Sequence, residues 1–180
     1  MSKVLIIYYS VYGTTKKYAE WIAQELNGET CDIKNVNPHS LGNYNIIVLG
    51  SGLYAGVIQG INIIVKNYNV LKDKKLILYT CGLADYKKTE NINNVKKRIE
   101  KKIPENIRNS IKIFYLRGGI NYKELNLKHK IMMWFMKKMI MKKDSKKMDE
   151  EDKEFLESYG KKIDFIDKNN IAEIITYCTN

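Results

Sequence analysis

The sequence predicts one α/β domain built on an open, doubly wound parallel sheet of five strands. Three observations carry this. Residues 4–9, 46–49, 76–79 and 111–116 are apolar almost without interruption and are bounded by turn residues. Strands buried on both faces require that pattern, whereas half-exposed strands alternate. Between these runs the apolar spacing becomes helical, and strand and helix alternate five times across the 180 residues. With right-handed crossovers, that alternation favours the strand order 2-1-3-4-5.

The elements follow in order. After residues 4–9, the apolar residues Tyr18, Ala19, Ile22, Ala23 and Leu26 share one helical face, and Gly28 is placed to end that helix as a left-handed cap. Residues 30–36 alternate and suit an edge strand. Ile61, Ile64, Val65 and Tyr68 mark the next helix after the run at 46–49. Ile92, Val95, Ile99 and Ile103 mark another, stopping at Pro104. The last stripe is Phe155, Leu156, Tyr159, Ile163 and Ile166, opened by Asp149-Glu150-Glu151-Asp152. Carboxylates there suit the positive end of a helix dipole.

Composition narrows the function classes. Cys31, Cys81 and Cys178 lie far apart, and His39 and His129 have no partners at ligand spacing, so neither a disulfide framework nor a metal site is expected. The two histidines read as surface residues. Nowhere do about 18 apolar residues run together, and no basic start leads into an apolar segment, so a cytoplasmic chain without signal peptide or membrane span is expected. The net charge of +11 raises nucleic acid or an anionic membrane as partner, against solvated surface lysine in a Lys-, Asn- and Ile-rich chain.

In a doubly wound sheet, ligands bind beyond the carboxyl ends of the strands where the strand order reverses. The loop after the first strand reads Ser10-Val11-Tyr12-Gly13-Thr14-Thr15. It offers three hydroxyls and a glycine at a helix start, whose free N–H groups and dipole attract a phosphate. It carries no cation of its own, and the G-x-x-x-x-G-K-[ST] pattern of a triphosphate site is absent. The loop after the next apolar run, Gly50-Ser51-Gly52-Leu53-Tyr54-Ala55-Gly56, matches neither a dinucleotide fingerprint nor a serine-nucleophile elbow. A third loop, Thr80-Cys81-Gly82-Leu83-Ala84-Asp85-Tyr86, flanks the same crevice. Cys81, with no second cysteine near it, reads as a packing residue rather than a redox thiol.

The first loop resembles the T/S-x-T-G-x-T phosphate loop of the flavodoxin family, which holds the single phosphate of FMN. The resemblance implies a flavodoxin-like fold and a cofactor site made by residues 10–15, Ser51 to Gly56 and Thr80 to Tyr86. It places Tyr54 and Tyr86 on the two faces of the flavin ring, with backbone groups of Cys81 and Gly82 at its polar edge. The redox step belongs to the cofactor. No side chain stands out as a catalytic base.

The segment after the fifth strand departs from a plain flavodoxin. Ile131-Met132-Met133-Trp134-Phe135-Met136 continues through Met139, Ile140 and Met141, laced with Lys128, Lys130, Lys137, Lys138, Lys142 and Lys143. A helix apolar on nearly all sides is buried, bound to a partner or seated in a lipid interface. Lysines beside Trp134 and Phe135 suit an anionic membrane face. An ordinary packing helix or a homodimer seam is the plainer reading. Nucleic acid ranks last, because a compact apolar helix is not an open stacking platform. With Leu116-Arg117-Gly118-Gly119 before it, this insertion at about residues 118–147 resembles that of the flavodoxin-type, menaquinone-dependent protoporphyrinogen oxidases. That resemblance implies a porphyrinogen substrate, a quinone or redox protein as electron partner, and the inner membrane face as location. Arg117, Lys128, Lys130, Trp134, Lys137 and Lys138 are then expected to meet the substrate or the membrane. A flavodoxin-like carrier docking a protein partner through the Met-rich helix is the alternative.

Overall fold

A computed structural model describes residues 2–54 and 57–180. In chain order the elements are β1 (Val4–Tyr9), α1 (Thr14–Leu26), β2 (Glu29–Asp32), β3 (Ile46–Tyr54), β4 (Val57–Ile58), α2 (Asn62–Lys66), α3 (Tyr68–Leu71), β5 (Lys75–Gly82) and α4 (Thr89–Glu100). There follow α5 (Glu105–Arg108), β6 (Ile111–Arg117), β7 (Gly119–Asn121), α6 (Leu127–Met141), α7 (Glu150–Ser158), β8 (Lys162–Asp164) and α8 (Ala172–Thr179).

The main sheet runs β2-β1-β3-β5-β6, all parallel. The short β4 pairs antiparallel with the end of β3. Setting β4 aside, this is the expected order 2-1-3-4-5. Alternation along β1 shows why its run is wholly apolar. Leu5 and Ile7 enter a core with Ile47, Leu49, Leu76, Leu78 and helix residues Ile64, Val95 and Ile99. Val4 and Ile6 enter the opposite core with Val48, Ile77, Tyr18, Ala19, Ile22 and Ile174. Both faces are therefore covered, which is why the run is apolar throughout.

Three expectations are corrected. β2 ends at Asp32, and Ile33–Asn35 form a 3-10 turn rather than the rest of a strand. The Asp32 side chain accepts a hydrogen bond from the Lys34 N–H and so turns the chain. The left-handed C-cap of α1 is Asn27 (φ 49°), not Gly28. A Cβ on Gly28 would stand 2.8 Å from Ile6 Cδ1, so that residue is small to let the chain pass β1. The final apolar stripe is not one helix. α7 opens on the acidic run with an Asp149/Asp152 capping box, as its charge pattern requires, but stops before Gly160 (φ +79°). Residues 162–164 then pair antiparallel with β7, and α8 is the helix that covers α1.

The excursion after β6 accordingly continues past residue 147. Its own small core contains Tyr122, Leu125 and Met133, with Tyr12, Ile120, Phe155 and Tyr159 packed against it. Ion pairs fasten α7 to the sheet domain: Arg98 to Glu151 at 2.9 Å, and Lys88 to Glu150 and Glu154 at 2.7 and 2.9 Å. Its two ends meet at one buried side chain. The Tyr18 hydroxyl donates to the Arg117 carbonyl at 2.8 Å and accepts from the Asp167 N–H at 3.3 Å.

A second tyrosine fixes the start of α1. Tyr79 is fully buried and its hydroxyl donates to the Thr15 carbonyl at 2.8 Å. Its ring lies over Gly50, where an added Cβ would come within 2.2 Å of the ring carbon Cζ. Because a ring enclosed on all sides has no room to swing away, Gly50→Ala is expected to destabilise the fold by about 1–3 kcal/mol. A shift in the urea midpoint with unchanged slope measures this.

Candidate functional site

The β1–α1 junction is the polar half of the site. Gly13 takes φ +87° as the N-cap of α1, a conformation a side chain strains, and no side chain caps the helix. The first turn holds no acid either. Its leading N–H groups, unpaired within any helix, are thus left for a ligand. Among the described residues the buried Ser10 Oγ has no hydrogen-bond partner. A helix start without cap or counter-charge, next to an unsatisfied hydroxyl, fits an anionic group held by neutral donors.

A cleft opens beside this junction at the point where strand order reverses. From the sheet it is lined by Tyr12, Thr14, Thr15, Gly52, Leu53, Tyr54, Cys81, Gly82 and Leu83. From the excursion it is lined by Gly118, Gly119, Ile120, Leu125, His129, Met132 and Met133. No carboxylate, lysine or arginine is among these residues. Gly118 must be small here, since a Cβ would lie 2.8 Å from Cys81 Sγ and 3.0 Å from Thr14 Cγ2.

The three loops expected from the sequence do converge, with different duties inside each. The Tyr54 hydroxyl accepts from the Val11 N–H at 2.8 Å, tying the second loop to the first. Burial raises its pKa, so it stays protonated as that acceptor. Ser51 does not line the cleft: its hydroxyl donates to the Gln59 carbonyl at 2.7 Å and accepts from the Gln59 N–H, closing the loop instead. Ala55 and Gly56 lie outside the described residues. Thr80 Oγ1 is buried beneath the third loop and has no partner among the described residues. The Asp85 N–H donates to Glu154, and Ala84 lines a separate cavity under α7 with Tyr86.

Tyr86, expected on a flavin face, is turned the other way. It packs against the core and tilts on Tyr115 with 5.6 Å between centroids, and burial holds its phenol strongly protonated. Arg117 is likewise not presented to a ligand. Its Nε and an Nη donate to the Leu83 carbonyl at 3.3 and 3.1 Å, and the guanidinium stacks 3.6 Å from the Phe165 centroid. It clamps the third loop to β6.

His129 is the residue that the sequence left at the surface and the fold brings inside. It sits on the first turn of α6, half-buried, with its Nδ1 hydrogen-bonded to the Tyr12 hydroxyl. Its ring stacks on Tyr54, 6.0 Å between centroids and 14° from parallel. No local motif announces this pairing, because the partners lie 117 residues away in the chain. The nearest signal is Asn126, which caps α6 by accepting from the His129 N–H at 2.8 Å and so places that residue at the helix start.

Met133 and Ile140 of α6 are buried, and its opposite face points outward. Leu127, Ile131, Trp134, Phe135, Met139 and Met141 are exposed, beside Lys128, Lys130 and Lys138. Lys138 lies over the Trp134 ring at 4.8 Å and Lys137 over Tyr159 at 4.4 Å. Among the described residues no cluster could hold a metal ion, and no helix is long and apolar enough to cross a membrane.

This arrangement defines a doubly wound α/β protein with an uncapped helix start and an apolar cleft at its switch point. Residues 5–149 match the flavodoxin domain, and the chain belongs to that family. A 55-residue stretch is 44% identical to an uncharacterized protein of Methanocaldococcus jannaschii, covering 30% of this chain and 37% of that one. Three solved structures are similar at low identity. The Trp repressor binding protein from Bacillus subtilis is 16% identical, with TM-score 0.46 over 64% of this chain and 83% of that one. Megasphaera elsdenii flavodoxin is 16% identical, with TM-score 0.42 over 63% of this chain and 83% of that one. A flavoprotein in complex with FMN from Lactobacillus acidophilus is 17% identical, with TM-score 0.39 over 65% and 93%.

Cys81 supplies a pH test of this geometry. It is buried, and burial pushes its thiol up to about 12. An unfolded thiol ionises from about pH 8.5. Above that the unfolded chain binds fewer protons than the native one, so stability falls as pH rises toward the native value. Wild type is expected to lose about 1.4 kcal/mol more per pH unit than Cys81→Ala between about pH 9.5 and 11, read from urea melts.

Proposed function

We propose that the chain is an FMN-dependent oxidoreductase working on an anionic membrane face, taking electrons from a porphyrinogen and passing them to a quinone. The observation that carries the cofactor is the uncapped start of α1 beside the unpaired Ser10 hydroxyl. When bound, FMN supplies the hydride and electron transfer. Ser10, Thr14, Thr15 and the first N–H groups of α1 hold its phosphate with neutral donors. The backbones of Gly52 to Tyr54 and of Cys81 to Leu83 border the ring. Ile120, Leu125, Met132 and Met133 keep water from that side of the cleft.

The exposed face of α6 supports the membrane as location. Six large apolar side chains there alternate with lysines, and residues 127–141 contain no acid. Each lysine near an anionic surface contributes about 1 kcal/mol, and Trp134 suits the headgroup level. The porphyrinogen and the quinone rest on the resemblance of the insertion to that of menaquinone-dependent oxidases. The second reading, a carrier docking a redox protein, is favoured by the exposure of Met139 and Met141, flexible side chains that adapt to varied apolar partners.

Purified protein is expected to take up FMN stoichiometrically and turn yellow. Ser10→Ala and Thr14→Ala should each weaken uptake by about 10-fold, as loss of one hydrogen bond to a charged group requires. A colourless protein that ignores added FMN overturns the reading. For location and substrate, FMN-loaded protein is expected to bind phosphatidylglycerol vesicles but not phosphatidylcholine vesicles. Given protoporphyrinogen and a menaquinone analogue, it should raise porphyrin fluorescence above autoxidation. Reversing Lys128, Lys138 and Lys142 to Glu should abolish vesicle binding. Oxidation no faster than autoxidation leaves the carrier.

A further inference from the structure

We propose that His129 is a cofactor-contacting residue, forming together with Tyr54 one joined aromatic wall of the flavin site. This rests on the FMN reading above. The cleft has three aromatic side chains on its walls, Tyr12, Tyr54 and His129. Tyr54 stands on the sheet and His129 on the excursion, with near-parallel rings 6.0 Å apart. Rings this close leave no space for a third between them, so a flat heterocycle in the cleft meets the pair from the side that both turn to the cavity. Tyr86 cannot serve as that wall, because its ring packs in the core and lines a different cavity.

The imidazole is held for this duty from two sides. Asn126 fixes its backbone by capping α6, accepting from the His129 N–H at 2.8 Å. Tyr12 fixes its ring through Nδ1, and the same hydroxyl accepts from the Asn126 N–H at 3.4 Å. Tyr12 belongs to the loop that also cradles the phosphate, so one residue couples the polar end of the site to the aromatic wall. Rings held in this way contact a bound heterocycle at little cost in side-chain freedom.

The test is the dissociation constant of FMN, with the residual fluorescence of the bound flavin as second readout, in the full chain. His129→Ala is expected to weaken binding by about 3- to 10-fold and to make the bound flavin more fluorescent, while His129→Phe, which keeps a flat ring, restores both. Tyr12→Phe should weaken binding in wild type and have no further effect in His129→Ala, the non-additivity of residues that act as a unit. Unchanged or tighter binding in His129→Ala overturns the proposal, tighter binding meaning that the ring merely fills the cleft. A wild-type chain that takes up no FMN removes the proposal together with the functional reading, whereas normal uptake with an indifferent His129 removes the proposal alone.

Discussion

The site depends on how firmly one helix start is held against the sheet. α1 must present bare N–H groups at its first turn, and nothing at that turn supplies a local cap. The restraint comes from beneath, where the Tyr79 hydroxyl binds the Thr15 carbonyl inside a fully apolar core. A hydrogen bond in such surroundings is costly to break, since neither group finds water when parted. Tyr79 reaches Thr15 because Gly50 on the neighbouring strand leaves space for its ring. Three strands' worth of packing thus sets the position of a loop that makes few side-chain bonds of its own.

The same economy runs through the cleft. Polar groups that could have contacted a ligand are used to tie loops together: Ser51 to Gln59, Tyr54 to Val11, Arg117 to Leu83. What remains facing the cavity is backbone, glycine and apolar surface around a cradle of neutral donors. That composition suits a group bringing its own reactivity, for which the protein supplies shape and exclusion of water. The lysines and arginines of the chain lie outside this lining, four of them on α6.

The sheet was legible because its strands are buried on both sides, and a run such as Val4–Tyr9 has few other physical uses. The loop at Ser10–Thr15 was legible for a similar reason: hydroxyls and glycine at a strand-to-helix turn concentrate several rare requirements. The excursion was harder. Phe155, Leu156, Tyr159, Ile163 and Ile166 satisfy helical spacing, yet Ile163 pairs with Ile120 in a strand beyond Gly160. A stripe of five cannot tell a helix from a helix plus a strand when a glycine lies inside it. His129 was invisible for a further reason, since its partners are defined only by the folded path. Tyr86 shows the converse: a tyrosine in the right loop is aimed by its packing, which the spacing does not report.

Tyr18 deserves a last consequence. One phenol joins Arg117, where the chain leaves the sheet, to Asp167, where it returns. Lengthening a loop between anchored stems raises its closure entropy only logarithmically, about 0.6 kcal/mol for each doubling. A lineage carrying this staple can therefore enlarge, trim or rewrite the lobe between those two residues while the older scaffold stays intact, acquiring new surface chemistry without re-founding its core.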